Sequence, residues 1–248
     1  MNDETNFKNW MNTELNDFYQ ANTYHNMNFP EFKKECCYFV TMTFDKSVIE
    51  HLRQQLTMPM GSYEIEMDSF NHLYVEICQE LYGTHFINRK HRLPWAAVGI
   101  DYSGSRYAQY RPIGLKNIHV HALFAIPPAD RHAFKTLLKG PKWRGIINRL
   151  YADQVLFDPY DLGKGKGGGS TSYVTKAFIK ARDDGPSADG LRIYPGPDPK
   201  RTLKSYAAGI KYPPVNRSLD RMIKIARAQR KGFLGWAKFE APNSKETD

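Results

Sequence analysis

The chain has 248 residues, 41% hydrophobic and 25% charged, with a formal net charge of +9. That length supports one sizeable core, and the composition is that of a globular protein. No run approaches the ~18 apolar residues of a membrane helix, and the acidic start Met1-Asn2-Asp3-Glu4 lacks the apolar stretch of a secretory signal, so a cytoplasmic protein is expected.

Residues 1–35 begin Asn-rich and polar with scattered aromatics, and are expected to form a helix or an extended arm. Cys36 to Phe44 alternates Tyr38/Val40/Met42/Phe44 with Phe39/Thr41/Thr43, which predicts the first strand. Asp45 and Ser47 are suited to cap a helix over about 46–56. Met58-Pro59-Met60-Gly61 breaks it. A second helix is predicted over 63–82, where Phe70, Leu73, Ile77 and Leu81 recur at helical spacing. Trp95–Tyr102 reads as the second strand and 117–126 as the third, joined by a Gly- and Pro-containing hairpin loop.

Pro127-Pro128 ends the third strand. Helices are predicted from Ala129-Asp130 to about Leu138 and over 142–149, with a short fourth strand at 154–158. A Gly-rich segment, Gly163 to Ser170, leads to a helix over about 171–182. Residues 183–200 are Pro-, Gly- and Asp-rich and read as loop, followed by an amphipathic helix at about 217–231 with Gly232 in the stop position.

The order strand, helix, strand, strand, helix, strand describes a split β-α-β arrangement. The expected class is α+β, with a ferredoxin- or RRM-like antiparallel sheet, helices packed on one face and an additional C-terminal helix. The expected division is an arm (1–35), a main domain (36–182) and a loop plus basic helical tail (183–248) belonging to the same domain. The three cysteines, Cys36, Cys37 and Cys78, are odd in number and have no C-x-x-C spacing, so reduced structural thiols are expected.

Charge is unevenly distributed. Residues 1–80 carry 5 Lys/Arg against 13 Asp/Glu, a net of −8. Residues 131–182 carry 11 against 3 (+8) and residues 200–238 carry 11 against 1 (+10). Such basic blocks suit nucleic acid, and Trp143, Tyr151, Tyr160, Tyr173, Tyr194, Tyr206 and Tyr212 within or beside them are candidate stacking platforms for bases. A solvated face is the plainer alternative. A membrane surface fits less well, because the apolar face of 217–231 has no Trp or Phe anchor.

Three groups of residues could carry chemistry. In the third strand His119 and His121 point to the same side, because strand side chains alternate. Asp101, near the end of the preceding strand, can lie beside them across the hairpin. Two imidazoles and a carboxylate, with positions left for substrate oxygens, suit Mg²⁺ or Mn²⁺. The plainer reading is two hydrogen-bonded histidines on a sheet face. In the 171–182 helix, Tyr173, Lys176 and Lys180 fall at i, i+3 and i+7, beside an apolar stripe of Val174, Ala177 and Phe178. A phenol beside ammonium groups suits attack on a phosphodiester if nearby cations favour the phenolate. The Gly-rich segment with Lys164 and Lys166 lacks the G-x-x-x-x-G-K-[ST] order, so no nucleotide triphosphate is expected there. It reads as a cationic hinge, and Lys164, Lys166, Lys180 and Arg182 are the candidate DNA contacts.

Tyr38-Phe39-Val40-Thr41-Met42-Thr43-Phe44, His119-Val120-His121 and Tyr173-Val174-Thr175-Lys176, in that order, resemble the three motifs of the HUH endonucleases. These are the rolling-circle replication initiator superfamily, and the resemblance spans about residues 36–182. It implies an HUH palm holding Mg²⁺ or Mn²⁺ on His119, His121 and Asp101. Tyr173 would be the nucleophile, forming a 5′-phosphotyrosine, and Lys176 would assist at the phosphate. Ala177 stands where phage members often carry a second tyrosine, which implies a one-tyrosine enzyme. The implied partner is single-stranded or hairpin origin DNA of a plasmid or single-stranded DNA phage in a bacterial cytoplasm. A host helicase and polymerase would be required, since the sequence shows no helicase domain. Relaxases and single-strand transposases share this chemistry, and a non-catalytic nucleic-acid-binding protein on a ferredoxin-like sheet is the alternative of another class.

Overall fold

The alternating run at Cys37–Phe44 forms strand β1 of a five-stranded sheet. The computed structural model describes residues 3–22, 27–55, 64–86, 93–101, 119–160 and 191–195. All lie in the first of two units, Met1–Ala208, and the second, Gly209–Asp248, is outside the described residues. With β2 (Trp95–Asp101), β3 (His119–Ala125), β4 (Ala152–Pro159) and β5 (Leu191–Tyr194), the sheet has the order β4-β1-β3-β2-β5. Every neighbouring pair is antiparallel. Helices α1 (Asp3–Ala21) and α2 (Phe29–Cys36) precede β1, and α3 (Lys46–Gln55) and α4 (Glu64–Tyr82) connect β1 to β2. A 3-10 turn (Pro128–Asp130), α5 (Arg131–Lys139) and α6 (Pro141–Arg149) connect β3 to β4. The fold is α+β with an open antiparallel sheet.

Registers fix what each face carries. Val40 pairs with Ala122, Met42 with Val120 and Tyr38 with Phe124, while Ala96, Val98 and Ile100 of β2 continue the same face. All are buried, beneath the helices of the crossovers. Phe70, Leu73 and Ile77 of α4, which the helical spacing singles out, are fully buried. Tyr74 packs edge-on against Phe124, and Phe134 of α5 stacks on Phe124. Arg53 of α3 and Glu66 of α4 form a buried ion pair that ties the two helices together.

Helices are not confined to that face. Met11 and Leu15 of α1 and Phe32 and Cys36 of α2 share one core cluster with Cys37, Trp95, Ala97, Leu123 and Ala125, which register places on the opposite face. This corrects the one-face expectation. The apolar half of that second face must also leave water, and the aromatics scattered through the polar N-terminal segment supply the cover: Trp10, Phe18, Tyr19 and Phe29 pack against the cluster. Helix α2 starts at a capping box, in which the Asn28 side chain accepts from Glu31 N–H (2.9 Å) and the Glu31 carboxylate accepts from Asn28 N–H (3.0 Å).

A second correction concerns residues 183–200, read as loop. Leu191–Tyr194 is a strand paired with β2 through Ala96↔Tyr194 and Val98↔Arg192. Tyr194 is fully buried between Phe70 and Tyr74, and its hydroxyl donates to the Asn71 side chain. Four residues flanked by Pro and Gly give too short an alternation to separate a strand from a loop. The predicted hairpin loop, the 171–182 helix and the 217–231 helix lie outside the described residues.

Asp45 caps α3 as expected: its carboxylate accepts from Ser47 N–H at 3.0 Å. Asp130 precedes α5 but makes no side-chain cap; its carboxylate accepts from Tyr82 O–H instead. All three cysteines are free and buried. Burial pushes the Cys36 thiol up to about 11 and those of Cys37 and Cys78 well above the usual range, which suits inert packing residues. Among the described residues no helix is long and apolar enough to cross a membrane.

Candidate functional site

The helical cover on the second face lies over one end of the strands, at Cys37, Trp95 and Ala125. Towards the other end, register assembles two rows. Thr41 lies opposite His121, with Leu156 on one flank and Gly99 on the other. Thr43 lies opposite His119, flanked by Gln154 and Asp101. His119, His121, Thr41 and Thr43 are half-buried. Leu156, on the same face, is 49% exposed, so this part of the sheet reaches water.

The two imidazoles stand side by side on the middle strand. Their ring centres are 6.0 Å apart and their planes are parallel to within 6°. They are not equivalent. His121 stacks on Phe39 at 5.1 Å and 20°, and its Nδ1 lies 3.3 Å from Thr41 Oγ1. The H-x-H pattern singles out the two histidines alone; Phe39 and Thr41 enter the sequence reading only as members of the hydrophobic first motif, and Gly99 carries no site reading there. The alternation in β1 does put Phe39, Thr41 and Thr43 on one face; which face needs the pairing register, and that is not local information.

Two imidazoles are a donor set that a divalent ion can use. At tetrahedral or cis-octahedral angles, with each nitrogen about 2.1 Å from the ion, their ring centres would lie roughly 4.5–5.5 Å apart. The observed separation is 6.0 Å, which leaves the pair to close by about 1 Å before it could share one. Lone pairs lie in the ring planes, so with parallel planes one ring must turn about its Cβ–Cγ bond before both converge. The backbone register sets Asp101 directly opposite His119. Among the described residues no group of three His, Cys, Asp or Glu side chains is gathered around one point; the side chain of Asp101 lies outside them. Tyr173, Lys176, Lys164, Lys166, Lys180 and Arg182 also fall outside the described residues.

The basic block starting at residue 131 is partly paired with carboxylates at the surface of the fold. Lys135 pairs with Glu35, Lys142 with Glu80, and Arg149 binds Glu76 through two bonds of 2.8 and 2.6 Å. Carboxylates of the acidic N-terminal third thus meet cations of α5 and α6. The aromatic expectation changes as well. Tyr160 and Tyr194 are buried in the core, so these two are packing residues in place of base platforms, while Trp143 is half-buried and packs edge-on against Phe157. Nothing local separates a packing tyrosine from a stacking one; the strand pairings decide it.

The chain matches no protein-family model, no curated protein and no solved structure.

Proposed function

We propose that this protein is a metal-dependent endonuclease and strand transferase acting on single-stranded DNA, of the HUH replication-initiator type. The observation that carries the reading is the pair of parallel imidazoles of His119 and His121 on the middle strand, 6.0 Å apart, in a part of the sheet that reaches water and opposite the Asp101 position. The sheet order supports it too: β4-β1-β3-β2 with helical crossovers between β1 and β2 and between β3 and β4 is compatible with a ferredoxin-like palm, to which β5 adds an edge strand.

In this reading His119, His121 and Asp101 hold Mg²⁺ or Mn²⁺. A bound ion of that kind supplies Lewis-acid polarisation of a phosphate oxygen. Tyr173 attacks the phosphorus of the scissile phosphodiester. Its O–P bond forms as the bond to the 3′ oxygen breaks, leaving a 5′-phosphotyrosine and a free 3′-hydroxyl. Lys176 offsets the negative charge that develops on the phosphoryl oxygens. The ester retains the bond energy, so rejoining needs no nucleotide triphosphate. Lys164, Lys166, Lys180 and Arg182 hold the strand through its phosphates. The biological setting proposed is rolling-circle replication of a plasmid or phage in a bacterial cytoplasm, with the 3′-end extended by a host polymerase and unwinding by a host helicase. Relaxation for plasmid transfer and single-strand transposition rest on the same chemistry.

The test is cleavage of single-stranded oligonucleotides with Mn²⁺ and with chelator. Wild-type protein is expected to cleave only with the ion, and the His119→Ala/His121→Ala double variant to lose at least 100-fold of that rate. Binding without any metal-dependent cleavage would instead mark a nucleic-acid-binding module. Unchanged cleavage by the double variant would remove the metal site.

A further inference from the structure

We infer that Thr41 is a positioning residue: its hydroxyl oxygen accepts the Nδ1–H of His121, which fixes the imidazole tautomer and turns Nε2 into the ligand nitrogen. The inference rests, for its metal part, on the metal-site reading above; its tautomer part stands on the cross-strand geometry alone. Thr41 Oγ1 and His121 Nδ1 lie 3.3 Å apart across the β1–β3 ladder, where the two residues are direct cross-strand partners. Phe39, two residues earlier on the same face, stacks on the ring, so the imidazole is held flat against one neighbour and by one nitrogen to another. Gly99, the partner on the opposite flank, puts no side chain beside it.

The physical consequence follows from imidazole chemistry. A neutral ring carries one N–H and one lone pair, and the nitrogen that donates a hydrogen bond leaves the other to bind a metal. Histidine ligands commonly donate their second nitrogen to an oxygen acceptor, which sets the ring's orientation and raises its basicity. Thr41 is placed to be that acceptor. The two histidines then differ in role. His121 is the pre-set ligand, and His119 is the ring that turns when the parallel pair converges.

The experiment has two arms, both on full-length protein with folding checked by circular dichroism. The first reads the tautomer of His121 without metal, by long-range proton–nitrogen NMR correlation at a pH where imidazoles are neutral. Wild type and Thr41→Ser are expected to show the Nδ1–H form, while Thr41→Val, which keeps the shape and loses the acceptor, is expected to shift towards Nε2–H. An Nε2–H wild type, or a Thr41→Val spectrum like wild type, overturns the inference whatever the metal does. The second arm titrates Mn²⁺ against each protein. Thr41→Val is expected to bind 10- to 100-fold more weakly, with Thr41→Ser close to wild type. Equal affinity in wild type and Thr41→Val overturns the role towards the metal. No Mn²⁺ binding by wild type overturns the metal-site reading instead, and the tautomer arm still decides what Thr41 does.

Discussion

Glu76 shows how single side chains hold the crossover helices in place. Burial alone would raise its carboxyl, but hydrogen bonds from His72 and Arg149, together with their charges, outweigh that and bring it down to about 2. Arg149 on α6 grips both oxygens, while His72 one turn earlier on α4 approaches at 3.4 Å. The sign follows from linkage: a carboxyl depressed in the folded state contributes stability above its ordinary value of 4.5, and loses it as pH falls through the folded value. Glu76→Gln is therefore expected to be less stable than wild type at neutral pH in urea melts. The gap should close as pH falls from about 4.5 to about 2. A gap that stays constant across that window would show that the ion pair contributes nothing.

At the scale of the element, α2 depends on its capping box, and through it so does the cover on the second face. Asn28→Ala removes the side-chain acceptor of Glu31 N–H and is expected to cost about 1 kcal/mol, measured by chemical denaturation; a change below a few tenths would mean that packing of Phe32 alone sets the helix start. Much of the element pattern is legible in the sequence, because long periodic runs report burial directly. Phe70, Leu73 and Ile77 announce α4, and the alternation of Tyr38, Val40 and Met42 announces β1. The N-terminal helices are less legible because Asn and Asp dilute their apolar positions, although Asn28-Phe29-Pro30-Glu31 carries a start signal. Strand β5 is hidden for another reason. Leu191–Tyr194 owes its structure to a partner, β2, that is about ninety residues away in the chain.

The site divides along the same line. His119 and His121 sharing a face is legible, because it needs only the period of a strand. Their difference is not: Phe39 and Thr41 meet His121 through the β1–β3 register, which no local pattern encodes.

For the molecule as a whole, the +8 of the 131–182 block overstates the cationic surface that a DNA strand would meet under the proposed function. Lys135, Lys142 and Arg149 are engaged with Glu35, Glu80 and Glu76, so part of the +8 block from 131 to 182 is neutralised within the fold. Two groups of cations should therefore differ in salt dependence. Each phosphate contact on single-stranded DNA contributes about 0.7 to the slope of log affinity against log salt. The Lys164→Ala/Lys166→Ala double variant is expected to flatten that slope by up to about 1.4, whereas Lys142→Ala should leave it unchanged. Equal flattening by both, read by fluorescence anisotropy over a salt series, would mean that the paired cations also touch DNA.

The central claim, that a tyrosine of this chain becomes joined to DNA, is tested most directly by trapping the product. Wild-type protein incubated with 5′-extended single-stranded DNA and Mn²⁺ is expected to yield an adduct that survives SDS and migrates as protein plus oligonucleotide. Tyr173→Phe is expected to bind the same DNA and yield none. An adduct of undiminished yield from Tyr173→Phe would contradict the account.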